Sequence, residues 1–156
     1  MRREQLHVTL RFLGEIPAPR ADTVCRALHG SVALGSSFRA ALGGLGGFPN
    51  EHAPRVIWAG LTTGQTPMRR LRDAVEQSLS EVGFVRDQST FTPHVTLARV
   101  RRDAAREQVA ELSGFIGDNR DRFDGEPFTV DAVTVMRSEL GHGGSHYSPL
   151  ARVELR

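Results

Sequence analysis

The sequence predicts an α+β fold: one domain over residues 1–156 made of two related lobes, with antiparallel sheets around a central cleft and helices packed outside. Three observations carry this. The phrase His7-Val8-Thr9-Leu10 recurs letter for letter as His94-Val95-Thr96-Leu97. Each copy reads as a strand, because β-branched residues dominate and apolar and polar residues alternate. Around the copies, helical and strand periodicities interleave as strand–helix–strand–strand–helix, then strand–helix–strand–strand. The duplicated strands are expected to face one another across the middle.

Met1 to Gly14 reads as nearly all strand. Side chains two apart share a face, so His7, Thr9 and Arg11 point one way while Val8, Leu10 and Phe12 point the other. Pro17 and Pro19 open a helix from around Arg20 that buries Val24, Leu28 and Val32, with Cys25 alongside and His29 at the surface. Ser37 to Leu45 alternates weakly into Gly43-Gly44-Leu45-Gly46-Gly47. No helix follows, as a phosphate-binding glycine motif requires, so these glycines read as a strand end and a loop. Arg55 to Leu61 is a strand carrying the only tryptophan, Trp58.

Thr66 caps a second helix and Pro67 opens it. Its apolar stripe is Met68, Leu71, Val75, Leu79 and Val82, and Gly83 stops it. Beyond the second copy, Asp103 caps a third helix through Ser113, and Gly114 to Glu126 is a polar connection. Phe128 to Met136 and Tyr147 to Leu155 are strands joined by a glycine-rich hairpin over Gly141 to Ser145.

Hydrophobic residues make up 39% of the chain and charged residues 24%, ordinary globular values that exclude wholesale disorder. No apolar run approaches a membrane span and the N-terminus lacks a signal peptide's apolar core. Cys25 is alone, so no internal disulfide forms; the expectation is a cytoplasmic monomer with no membrane contact. All 20 basic residues are arginine, whose planar forks suit phosphate but cannot donate protons near neutral pH. A net charge of +2 is too mild for a long duplex as partner and suits a local phosphate pocket.

One His-x-Thr strand is most often an ordinary solvated strand; two alike are a chemical proposition. Histidine titrates near neutral pH, so two in one cleft can hold opposite protonation states. One removes a proton from attacking water and the other protonates a leaving oxygen. The hydroxyls of Thr9 and Thr96 can hydrogen-bond oxygens on which charge builds. Neither motif has Cys or carboxylates at metal-ligand spacing, so no metal or other cofactor is expected. No nucleophile elbow appears, and Cys25 lies on a helix's apolar side.

The chain resembles the two-histidine (2H) phosphoesterase superfamily, and within it the RNA 2′,3′-cyclic phosphodiesterases of the bacterial and archaeal 2′-5′ RNA ligase family. The resemblance runs from about Glu4 to Leu155. It rests on His7-Val-Thr-Leu-Arg-Phe-Leu-Gly-Glu15, Phe48-Pro49, Pro54-Arg-Val-Ile-Trp58, Pro93-His-Val-Thr-Leu-Ala-Arg99, and Ser138-x-Leu140 with Tyr147 downstream. It implies a pseudo-symmetric two-lobed fold and metal-independent hydrolysis of a terminal 2′,3′-cyclic phosphate to a 2′-phosphomonoester, with ATP-free 2′-5′ joining of tRNA halves as the reverse. By the same resemblance His7 and His94 are the catalytic pair, His7 the acid and His94 the base, and Thr9 and Thr96 bind phosphate. Arg99 is a further phosphate contact, although strict alternation places it on Val95's face and a bulge or the strand's end must turn it. Phe48 or Tyr147 borders the base or simply packs. Relatives carry a strand and a helix before the first motif; this chain is expected to lack them, leaving a sheet edge exposed.

RNA ends or tRNA halves with a cyclic phosphate are thus the expected partners. Small cyclic nucleotides or an ADP-ribose cyclic phosphate are the alternative substrates within the class. A non-catalytic RNA-end binding module is the alternative outside it, though arginine binds phosphate better than paired histidines do. A chance repeat would leave His7 and His94 in separate places.

Overall fold

Antiparallel pairing organises both sheets of the computed structural model, which describes residues 6–31, 34–122, 124–141 and 144–156. The elements are α1 (Ala18–Gly30), β1 (Phe38–Phe48), β2 (Val56–Thr63), α2 (Gln65–Glu81), β3 (His94–Arg99), α3 (Arg106–Asn119), β4 (Asp124–Val130), β5 (Ala132–Gly141) and β6 (Gly144–Glu154). One sheet has the order β3-β2-β1-β4 and the other pairs β5 with β6. The α+β class is as expected. The chain divides into two compact units that do not follow its two halves: Met1–Thr9, Arg39–Thr66 and Phe91–Phe128 form one, and Leu10–Phe38, Pro67–Thr90 and Thr129–Arg156 the other.

In the first unit, Leu45, Ile57, Ala59 and Ile116 make a buried cluster with Leu97 and Leu112 packed against it. It lies between one face of the sheet and α3. That burial corrects the expected end of the third helix, because Ile116, wholly buried, carries α3 six residues past Ser113. The connection expected over Gly114 to Glu126 is therefore half helix, and β4 already begins at Asp124. Asp103 does not cap α3. Its carboxylate is held by Arg101 (Nη2 to Oδ2, 2.7 Å), and the helix starts at Arg106 with the Gln108 side chain accepting from the Ala105 N–H at 3.0 Å.

The glycine run is strand rather than loop. β1 continues to Phe48, with Gly46 opposite Trp58 and Gly47 opposite Ile57. An added Cβ at Gly46 would overlap the six-membered ring of Trp58, so a side chain is excluded where the indole lies across the strand. Gly44, at φ +69°, sits in the bulge between Gly43 and Leu45.

In the second unit α1 starts at Ala18, two residues early, because the Pro17 carbonyl already accepts the Arg20 and Ala21 N–H groups. Val24 and Leu28 are buried as expected; Val32 lies outside the described residues. α2 likewise starts early, directly after Gly64, which puts Thr66 inside the first turn. Met68, Leu71, Val75 and Leu79 are buried, and Val82 is half-buried beyond the helix end. Gly83 at φ +83° closes it in a Schellman arrangement, with the Phe84 N–H on the Leu79 carbonyl and the Gly83 N–H on that of Ser80.

The strand expected over Phe128 to Met136 is two strands in different sheets, broken at Asp131. There the Asp131 carbonyl accepts from the Leu155 N–H at 2.7 Å and the carboxylate holds Arg152 at 3.0 Å. β5 and β6 form the expected hairpin; its turn residues 142–143 lie outside the described residues. Met1 to Gly14 is not a continuous strand: residues 1–5 are outside the described set, and Val8 alone of residues 6–14 makes a bridge.

Glu76 is the anomaly of α2, a carboxylate 3% exposed among apolar neighbours. Arg11 answers it, with Nη1 3.3 Å from Glu76 Oε1 and 3.4 Å from Asp87 Oδ2. Arg11 Nη2 also donates to the Val85 carbonyl at 2.9 Å. The third polar residue of the first motif is therefore held in an ion-pair cluster.

Candidate active site

The two copies of the repeated phrase meet directly. Val8 and Val95 form an antiparallel bridge, which sets His7 across from Thr96 and Thr9 across from His94. The two phrases are neighbours within one unit, not strands facing each other from two lobes as expected, and only the second is a full strand. Because alternate side chains share a face, His7, Thr9, His94 and Thr96 lie together on the face opposite Val8 and Val95. Val95 is buried on the core side, while Thr9, His94 and Thr96 are half-buried and His7 is exposed.

His94 is positioned by what precedes and surrounds it. Pro93 restricts Thr92 to extended backbone, and the Thr92 carbonyl lies 2.7 Å from His94 Nδ1. A carbonyl only accepts, so Nδ1 donates in this contact and Nε2 is the nitrogen left to face the site. Phe48 meets the imidazole edge-on with centroids 5.0 Å apart, and Trp58 lies 5.9 Å away. Phe48 and Trp58 themselves pack at 5.3 Å. Trp58 is opposite Thr96 in the sheet, and Gly60 is opposite His94.

This predicts a sensitive background position. Gly46→Ala drives a Cβ into the Trp58 ring, and the indole, the chain's single tryptophan, must shift off its packing against Phe48 and His94. A change in intrinsic tryptophan emission with a loss of stability of about 1–3 kcal/mol is the expected result. An unchanged spectrum would show that the ring does not depend on this glycine.

Arg99 is turned to the site by a bulge that no sequence signal announced. Trp58 pairs with Thr96, but Ile57 pairs with Ala98 and Val56 with Arg99, so Leu97 is the extra residue. It packs into the core cluster, and beyond it the alternation flips. Arg99 therefore shares the face of Val56, Trp58, Thr96 and His94 and not that of Val95. It is exposed at the strand's end.

His94, Thr96 and Arg99 thus share one face of β3, and the bridge at Val8 brings His7 and Thr9 alongside them. Phe48 packs against His94 and Trp58, whereas Tyr147 belongs to the other unit. Cys25 is half-buried on α1, and burial pushes its thiol above the ordinary range, which suits a packing residue and not a nucleophile.

A face carrying two histidines and two threonines defines a candidate acid–base phosphoesterase. The family model of the 2′-5′ RNA ligase superfamily matches residues 1–142, and the chain belongs to that superfamily. Over 151 residues it is 35% identical to an RNA 2′,3′-cyclic phosphodiesterase of Aeropyrum pernix, spanning 97% of this chain and 82% of that one. A protein of the same name from Thermus thermophilus is 34% identical over 97% of this chain and 73% of its own length. Among solved structures, the TT0787 protein of Thermus thermophilus superposes with a TM-score of 0.76 at 30% identity, over 100% of this chain and 81% of that one.

Proposed function

We propose that the protein hydrolyses RNA 2′,3′-cyclic phosphate ends to 2′-phosphomonoesters, with His94 as general base and His7 as general acid. One observation supports it: the Val8–Val95 bridge brings the two His-x-Thr phrases side by side. The names of the relatives support the substrate class. His94, with Nδ1 held by the Thr92 carbonyl, takes a proton from water at Nε2 as the water oxygen bonds to phosphorus. The bond from phosphorus to the ribose 3′ oxygen breaks, and His7 supplies that oxygen with a proton. The Thr9 and Thr96 hydroxyls donate to the non-bridging oxygens as charge builds there, and Arg99 binds phosphate from the end of β3. The steps use only side chains of this chain, so neither a metal nor a second subunit is required.

Ligation is the same face run with another nucleophile. A 5′-hydroxyl attacking in place of water gives a 2′-5′ phosphodiester, and the cyclic ester supplies the driving force without ATP. No helix among the described residues is long and apolar enough to cross a membrane, and we take the working unit to be a monomer in the cytoplasm.

The test is hydrolysis of a nucleoside 2′,3′-cyclic phosphate in EDTA with the product regioisomers resolved. A 2′-phosphate as sole product is expected. Exclusive 3′-phosphate would overturn the assignment of the leaving oxygen. A folded wild type that binds RNA ends but turns nothing over would make the site a binding module.

A further inference from the structure

We infer that the exposed arginines at the end of β3 bind the RNA backbone upstream of the reacting phosphate, making the enzyme selective for polynucleotide ends over small cyclic nucleotides. This rests on the hydrolase reading and deepens it. Arg99 ends β3 opposite Val56. Arg55 precedes Val56, and its carbonyl accepts the Val100 N–H at 2.9 Å. Its guanidinium donates from Nη1 to the Arg101 carbonyl at 3.3 Å. The chain then turns through Arg101 and Arg102, with the Ala104 N–H on the Arg101 carbonyl, and α3 opens at Arg106.

Five exposed arginines therefore converge on one turn, and the one carboxylate within that turn, Asp103, is taken by Arg101. Among the described residues Arg55, Arg99, Arg102 and Arg106 have no carboxylate partner. Elsewhere acids hold Arg11, Arg72, Arg120, Arg137 and Arg152. Unneutralised guanidinium groups repel one another, and a chain of phosphates is the ligand that relieves them.

The direction of the sheet says which part of the RNA lies there. Along the face, His94 is followed by Thr96 and then Arg99, and His7 sits across from Thr96. His7 is thus on the arginine side of the site and His94 on the far side. In-line displacement puts the attacking water and the leaving 3′ oxygen on opposite sides of phosphorus. With His94 serving the water, the ribose lies on the His7 side, and the chain attached to its 5′ carbon runs on toward Arg99. Thr96 pairs with Trp58 and Arg99 with Val56, two β2 positions or about 7 Å apart along the strand, so the long Arg99 side chain reaches the reacting phosphate and the arginines beyond it are placed for the next one.

The experiment compares kcat/KM for a short oligonucleotide ending in a 2′,3′-cyclic phosphate with that for the matching nucleoside 2′,3′-cyclic phosphate, over a series of NaCl concentrations. Wild type is run beside the double variant Arg102→Ala with Arg106→Ala, two exposed positions outside the catalytic face. Wild type should prefer the oligonucleotide about tenfold or more at low salt, with a log–log salt slope of about −1.4 or steeper for two or more phosphate contacts. The variant should lose that preference and the slope while turning over the nucleoside substrate at the wild-type rate. Equal kcat/KM on both substrates, or a preference that persists in the variant, overturns the inference and leaves the hydrolase reading intact. Loss of turnover on both substrates by folded wild type overturns the hydrolase reading. Polarisation of a labelled oligonucleotide with a 3′-terminal phosphate in the same salt series then reads the arginine surface by itself, and a Kd unmoved by the double substitution overturns the inference.

Discussion

Alanine at either His7 or His94 is expected to lower kcat/KM for a 2′,3′-cyclic phosphate by about 10²- to 10⁴-fold, the range of one positioned acid or base. The double variant should fall little below the worse single one, because a base and an acid that act in one displacement are not additive. KM should move little, since Thr9, Thr96 and Arg99 remain to hold the phosphate. The pH profile separates the roles. A base works only when deprotonated, so its loss removes the acid limb of the bell; an acid works only when protonated, so its loss removes the alkaline limb. His94→Ala should lack the acid limb and His7→Ala the alkaline one. The reverse pattern would exchange the roles, and an undiminished rate in either folded variant would end the two-histidine mechanism.

The site was legible because its signal is local: a four-residue phrase, repeated, with strand alternation inside it. Alternation alone gives which side chains share a face, and the Val8–Val95 bridge turns two separate faces into one. What periodicity does not carry is register. The extra residue at Leu97 reverses the side on which Arg99 falls, and its cause is tertiary, since Leu97 is drawn into the cluster around Ile57 and Ile116. The glycine run misled for a related reason. Gly46 and Gly47 look like loop until the partner strand supplies Trp58, whose ring occupies the space a side chain at Gly46 would need. The start of α3 shifted because a neighbour outcompeted the local signal, Arg101 taking the Asp103 carboxylate.

Glu76→Ala is expected to destabilise the protein by about 2–4 kcal/mol, because it removes one partner from a largely buried ion pair and leaves the Arg11 charge behind. Arg11 is 17% exposed at its side chain against 4% for Glu76, so solvent offsets part of the cost and the lower half of that range is favoured. The Asp87 N–H, which donates to Glu76 Oε2 at 3.1 Å, also loses its acceptor. For a chain of this size the midpoint of thermal unfolding should fall by about 5–12 °C. Replacing the pair together, Arg11→Met with Glu76→Leu, should recover most of the loss, since two apolar groups of similar shape need no compensation. Asp87 sets the pH dependence of the same cluster. The Ser89 backbone N–H and hydroxyl, with Arg11 and Arg72 nearby, hold its carboxyl below the usual range. A carboxylate with a depressed pKa contributes fully above its unfolded value of about 3.9 and loses that contribution progressively as pH falls from there through its lower folded value. Thermal scans from pH 7 to pH 3 should therefore steepen below about pH 4, and Asp87→Asn should flatten that part of the curve. A Glu76→Ala protein that melts with wild type would show that Arg11 is held by Asp87 and the Val85 carbonyl alone.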